Sequence, residues 1–149
     1  MHVIAPSLPQ WDGSSKYLDV SHYVELIEEL LAVLRLSKVV MAGNSMGGLI
    51  AMQIAATKHG MIRALILEDS ATGSEEEESI LSERIDKSGI PVLIIWGRED
   101  KIIPVAIAER LHSKMTKSDL TILDETGHVP HWESPELFNI KVLNFLKLL

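Results

Sequence analysis

Val39-Val40-Met41-Ala42-Gly43-Asn44-Ser45-Met46-Gly47-Gly48-Leu49-Ile50-Ala51-Met52 runs from a β-branched apolar stretch into an apolar helical pattern, and Gly43, Ser45 and Gly47 alternate at the junction. A serine between two glycines is a weak signal by itself, because so short a pattern recurs by chance. Its meaning depends on what stands at the ends of the other apolar runs.

Four more runs have the length and composition of buried strands: Val3 to Ala5, Ala64 to Leu67, Val92 to Trp96 and Leu120 to Leu123. None alternates with polar residues, as expected of a parallel sheet covered on both faces. Helical periodicity lies between them. Val24 to Leu34 repeats at three and four residues behind Asp19 or Ser21 as N-cap, and Leu49 to Ala55 is followed by Gly60 as a stop. Ile80 to Ile85 is a short helix behind a run of glutamates, and Pro104 to His112 opens on proline. Ser134-Pro135-Glu136 starts a last helix running to Leu149. The pattern predicts one α/β domain over residues 1–149, with about five parallel strands and right-handed crossover helices. Ligands of such sheets gather at the carboxyl ends of the strands, so the loops at Gly43, Glu68, Gly97 and Asp124 share the edge where chemistry is expected.

A nucleophilic serine requires a base, and the base an acid. Gly97-Arg98-Glu99-Asp100 follows one strand, and Asp124-Glu125-Thr126-Gly127-His128 follows another. Ser45, Asp100 and His128, in that chain order and each just past its own strand, have the arrangement of a nucleophile elbow with its triad. Gly43 and Gly47 are expected to supply the space of a missing Cβ, leaving the Ser45 hydroxyl above the sheet. The Met46 N–H, at the start of the following helix, is expected to face the oxyanion.

The chain resembles the α/β-hydrolases, and within them the branch whose elbow reads GNSMGG, which includes meta-cleavage-product hydrolases and related esterases. The resemblance runs through VIAPSLP at Val3 to Pro9, GNSMGG at Gly43 to Gly48, PVLIIWGREDKIIP at Pro91 to Pro104 and GHVPHWESPE at Gly127 to Glu136. It implies nucleophile, acid and base roles for Ser45, Asp100 and His128, with Asp69, at the end of the third strand where some members of the family place the acid, as the alternative to Asp100, and a minimal hydrolase core. Trp132 matches a tryptophan of the family's GHxxxWE pattern and, with Trp11, is a candidate for the substrate site. His131 follows His128 by three residues, but Pro130 breaks the spacing a helical metal pair uses, so His131 is expected at the pocket wall or surface.

The sequence departs from the family in two ways. An HG-type loop, which donates the second oxyanion-hole N–H, has no counterpart before Val3, and Glu68 to Ile90 leaves no room for a lid domain. The expectation is an open, shallow site, with Val3 to Ala5 pairing directly with Val39 to Ala42. Gln10 and Asp12 also stand where the family's PDLPGxG pattern carries glycine. The lost coverage of one sheet face, and a last helix apolar around much of its circumference, lead to the expectation of a homodimer or larger homo-oligomer.

Composition excludes other classes. A net charge of -7 argues against nucleic acid, which requires a basic face. The absence of cysteine removes thiol nucleophiles and thiolate metal sites, and a cytoplasmic setting follows as the natural expectation. No apolar stretch approaches the roughly 18 residues of a membrane span, so no membrane partner is expected. Glu75 to Glu78 is read as solvated surface, not as a cation site. No cofactor or metal is called for. The function expected is a serine esterase on small ester substrates. Carbon–carbon bond hydrolysis of the meta-cleavage type and a silent oligomeric scaffold are the alternatives.

Overall fold

The computed structural model describes residues 2–9 and 19–149. Four strands, β1 (Val39–Asn44), β2 (Ile62–Glu68), β3 (Val92–Gly97) and β4 (Ser118–Leu123), form one sheet in the order β1-β2-β3-β4, with every pair parallel. Helices α2 (Met46–Thr57), α3 (Glu75–Ser88) and α4 (Ala106–Lys114) connect successive strands. Before the sheet comes α1 (Val20–Val33), and after it come the short α5 (Pro130–Glu133) and α6 (Pro135–Lys147).

Alternation along the strands divides the core. Leu65, Leu67, Ile94 and Trp96 face the larger cluster, which α1, α2, α3 and α4 complete through Tyr23, Met52, Ile54, Ile85 and Leu111. Ala64, Ile66, Leu93 and Ile95 point to the other face, where Phe145, Phe138 and Val142 of α6 pack. Leu137, Ile140, Leu143 and Leu148 remain exposed on or beside α6. The sheet face expected to lie bare, on which the homodimer expectation chiefly rests, is buried in the single chain at Ala64, Ile66, Leu93 and Ile95. No helix among the described residues is long and apolar enough to cross a membrane.

The strands expected from Val39, Ala64, Val92 and Leu120 form, each slightly longer than its apolar run, but Val3 to Ala5 does not. Val3 and Ile4 are exposed, and the segment pairs with no strand. Three apolar residues ahead of Pro6 and Pro9, which lack backbone donors, offer too few ladder bonds to offset the ordering of the chain. The sheet therefore has four described strands, not about five, and among the described residues β1 pairs with β2 alone.

Helix boundaries shift for local reasons. Asp19, not Ser21, caps α1 by accepting the His22 N–H at 3.1 Å. The helix expected at Ile80 begins at Glu75, because Ser74 accepts the Glu77 N–H and the glutamates fill the first turn, where the dipole favours them. Thr57 ends α2, and Gly60 lies in the 3-10 turn His59–Met61 that follows. Pro130 opens α5 as its first residue, which leaves His128 ahead of the helix that carries His131.

Glu78 overturns the reading of the glutamate run as surface. Its carboxylate is fully buried and takes a two-pronged bond from Arg110 at 2.6 and 2.7 Å, one from Lys114 at 2.9 Å and one from Thr72 at 3.1 Å. Four consecutive helical residues point to different sides, so this one faces α4 while Glu75 and Glu76 face solvent.

Candidate active site

At the carboxyl edge of the sheet β1 turns into α2 within one residue. Ser45 sits there with φ 53° and ψ −121°, a conformation a side-chain-bearing residue adopts only under constraint. Its N–H donates to the Glu68 carbonyl at 3.0 Å, and its carbonyl accepts from Gly48 and Ala71, each at 3.0 Å. Ser45 stands at the N-cap of α2, yet its hydroxyl makes no capping bond, so the oxygen is not committed to the helix. Met46 N–H belongs to the first turn, where a backbone donor has no intrahelical acceptor.

The glycine that makes the elbow possible is Gly43, where a Cβ would stand 2.2 Å from the carbonyl carbon and oxygen of Gly47. Gly47, expected to do the same, has nothing within 4 Å of its own Cβ position; the second tight contact belongs to Gly48, against Ser70. Gly43→Ala is therefore expected to destabilise the protein by about 1–3 kcal/mol through overpacking. Gly47→Ala should be neutral or stabilising by about 0.5–1 kcal/mol, because alanine is the better helix residue. Urea midpoints of the two variants check the contrast.

Acid and base meet on the same edge. Asp100, in the loop after β3, gives Oδ1 to the amides of Ile102 and Ile103 and receives the Nδ1 of His128 on Oδ2 at 2.8 Å. Burial opposes its charge, but the His128 ring, the two amides and a bond from Asp69 outweigh it and hold the carboxyl below its ordinary range. With Nδ1 turned to Asp100, the ring nitrogen of His128 left without a partner among the described residues is Nε2. No hydrogen bond joins Ser45 Oγ to that nitrogen in this structure; such contacts commonly tighten only when substrate binds.

The loop carrying His128 is pinned from four sides. Asn44, beside the serine, donates its side-chain amide to the His128 carbonyl at 2.9 Å. Glu133 accepts from the amides on either side of His128, Gly127 at 2.8 Å and Val129 at 2.9 Å. Glu99 accepts the Thr126 N–H at 2.8 Å, and buried Glu68 accepts both the backbone N–H of His131 at 2.7 Å and its ring Nδ1 at 2.8 Å. Gly97 permits the approach: a Cβ there would lie 2.0 Å from the Gly127 carbonyl oxygen.

Sequence reasoning did not single out Asn44, Glu68, Glu99 or Glu133 as anchors, although three of them lie inside the quoted motifs. Glu133 alone carried a local signal, four and six residues past the amides it accepts, whereas Glu99, Glu68 and Asn44 reach the loop from 27, 63 and 84 residues away. His131 is half-exposed and bound to Glu68, with its ring edge on Phe138 6.0 Å away, centroid to centroid. Trp132 is 81% exposed on α5, and Trp11 lies outside the described residues.

Donor atoms of Asp69, Asp100 and His128 lie within 4.8 Å of one another and are the set among the described residues that could hold a metal ion. Asp100 Oδ2 is already engaged with the ring, so the three are arranged as a hydrogen-bonded acid–base array.

The alpha/beta hydrolase family model matches residues 1–84, more than half of the chain. The uncharacterized hydrolase YugF of Bacillus subtilis is 39% identical over 71 residues, which are 48% of this chain and 26% of that protein. A 2-hydroxy-6-oxononadienedioate/2-hydroxy-6-oxononatrienedioate hydrolase of Burkholderia vietnamiensis is 35% identical over 78 residues, 52% of this chain and 27% of that one. These matches span about a quarter of the length of the curated relatives. Among solved structures, a CIB-like hydrolase of Thermoplasma acidophilum superposes with a TM-score of 0.79 at 26% identity, over 91% of this chain and 65% of that one. The meta-cleavage product hydrolase CumD of Pseudomonas fluorescens superposes at 0.78 with 18% identity, over 89% and 73%. Asp100 and His128 lie beyond the residues matched by the family model, so the pairing of acid and base rests on geometry.

Proposed function

Because this chain belongs to the alpha/beta hydrolase family, we propose that it is a serine hydrolase of carboxylesterase type acting on small esters through Ser45, His128 and Asp100. The observation that carries the reading is the Asp100–His128 contact at 2.8 Å, on the sheet edge where Ser45 is held in its left-handed turn. His128 Nε2 takes the proton of Ser45 Oγ as the oxygen bonds to the acyl carbon, and the carbonyl electrons move onto the oxyanion. The Met46 N–H donates to that oxyanion. Collapse breaks the bond to the alcohol, which leaves with the proton from His128. Water, deprotonated by the same nitrogen, then attacks the acyl-enzyme; as the bond from the acyl carbon to Ser45 Oγ breaks, that oxygen takes the proton back from His128 and the carboxylic acid departs.

A second reading, carbon–carbon bond hydrolysis, is favoured by the Burkholderia relative, whose name gives it that substrate type. The same triad serves both, so substrate and not nucleophile separates them.

A fluorophosphonate probe tests the shared chemistry. Intact-mass and peptide analysis should place one adduct on Ser45 in the wild type and none in Ser45→Ala, and hydrolysis of a short-chain p-nitrophenyl ester should vanish with the same substitution. Equal ester rates in the two proteins, with no adduct, would overturn the proposal in favour of a silent scaffold.

A further inference from the structure

Asp69 follows Glu68 at the end of β2, fully buried, at φ 41°. Its N–H donates to the Ile95 carbonyl at 3.1 Å, and Oδ1 accepts the Gly97 N–H at 3.1 Å. Oδ2 is buried and has no N–H or hydroxyl donor. Its carboxyl lies beside that of Asp100, with oxygens of the two and a ring nitrogen of His128 all within 4.8 Å of one another. Two acceptors cannot form a hydrogen bond unless one carries a proton, and two carboxylates in contact away from water cannot both be ionised.

We propose that Asp69 is a positioning residue of the site, a neutral carboxylic acid whose Oδ2–H donates to Asp100 and holds that carboxylate in line with His128 Nδ1. The kinetic part of this inference rests on the serine-hydrolase reading; the protonation state does not.

Competition between the two carboxyls assigns the proton. Asp100 has the His128 ring and the amides of Ile102 and Ile103 to stabilise its charge, whereas Asp69 has the Gly97 amide alone. Burial, then the bond to Asp100, push Asp69 up to about 9 against the pull of the Gly97 amide. The ionisable groups facing it agree in sign. Asp100 from the β3 loop and Glu68 from its own strand oppose a second negative charge, His128 from the β4 loop is already paired with Asp100, and Glu68 is shared with His131.

Asp69 therefore does for Asp100 what Asp100 does for His128: it fixes orientation by filling a lone pair. Asp100 already has Oδ1 on two amides and Oδ2 on His128, and the Asp69 proton adds one more donor that fixes its orientation.

The test uses the whole protein labelled with 13C at the aspartate carboxyls. One resonance should remain in the protonated range at pH 7, titrate near pH 9 and vanish in Asp69→Asn. A spectrum with every aspartate ionised at pH 7, or a protonated resonance that survives Asp69→Asn, would overturn the proposal. Phosphonylation of Ser45 supplies the kinetic arm. Asp69→Leu, which keeps volume and loses the donor, should slow labelling about 10- to 100-fold, and Asp69→Asn, whose amide N–H can take the donor's place, should recover most of that loss. Equal losses in the two variants would remove the positioning role. Absence of labelling in the wild type would instead sink the serine-hydrolase reading, while the resonance still decides the state of Asp69.

Discussion

His128→Ala is expected to slow acylation of Ser45 by about 10,000- to 1,000,000-fold, the range seen when a triad base is removed. Nothing else described at the carboxyl edge can replace it. His131 is held by Glu68 through its backbone N–H and its Nδ1, so its ring is tied to the end of β2 and not to Asp100. The fold should hardly notice. Asp100 keeps the Ile102 and Ile103 amides, and the loop keeps Glu133, Glu99 and Asn44 as anchors. A loss of about 1 kcal/mol is expected for the missing ring bond, visible as a small shift in the urea midpoint. The double variant Ser45→Ala/His128→Ala should be no slower than either single one, because the two act as a unit. Additive losses in p-nitrophenyl ester hydrolysis would mean that His128 does not act on Ser45.

The elements that could be read from sequence were those with one dominant cause. Apolar runs without polar alternation located β1 to β4, because a strand covered on both faces leaves no other pattern. Ser134-Pro135 located the start of α6. The placement of Ser45, Asp100 and His128 on one edge was legible because each stands one to five residues past a strand end, and strand ends of a parallel sheet share an edge. What could not be read depended on a partner distant in the chain. Glu78 looks like its three acidic neighbours until Arg110 and Lys114, 32 and 36 residues on, face it from α4. Val3 to Ala5 has strand composition, but a strand requires a neighbour to bond, and that is a property of the sheet. Gly43 and Gly47 look equivalent in the motif, whereas only the packing of β1 against the first turn of α2 distinguishes the crowded one from the open one.

Glu78→Ala is expected to cost about 3–5 kcal/mol, the effect of breaking a buried ion pair and leaving its partners uncompensated. Domains of this size have about 5–15 kcal/mol of stability in total, so the urea midpoint should fall by about a fifth or more. Glu78→Gln separates charge from shape: it fills the same volume and can still accept from Thr72, but it leaves two cations facing a neutral group. Burial alone would raise the Glu78 carboxyl; the bonds from Arg110, Lys114 and Thr72 outweigh it and bring it down to about 2 from the ordinary 4.5. A folded-state value below the unfolded one means that the unfolded chain binds more protons in that interval, so stability rises with pH there. The contribution is complete above about pH 4.5 and is lost as pH falls toward 2. Wild type should therefore lose stability more steeply than Glu78→Gln between pH 4.5 and 2, and parallel curves would show that the carboxylate's charge does not hold α3 to α4. The consequence reaches the active site through Thr72, which donates to Glu78 and lies three residues past Asp69. Its neighbour Ala71 donates to the Ser45 carbonyl at 3.0 Å. Loosening Glu78 should thus release the turn that braces the nucleophile, and in mild urea Glu78→Gln is expected to lose phosphonate labelling before it loses helix content.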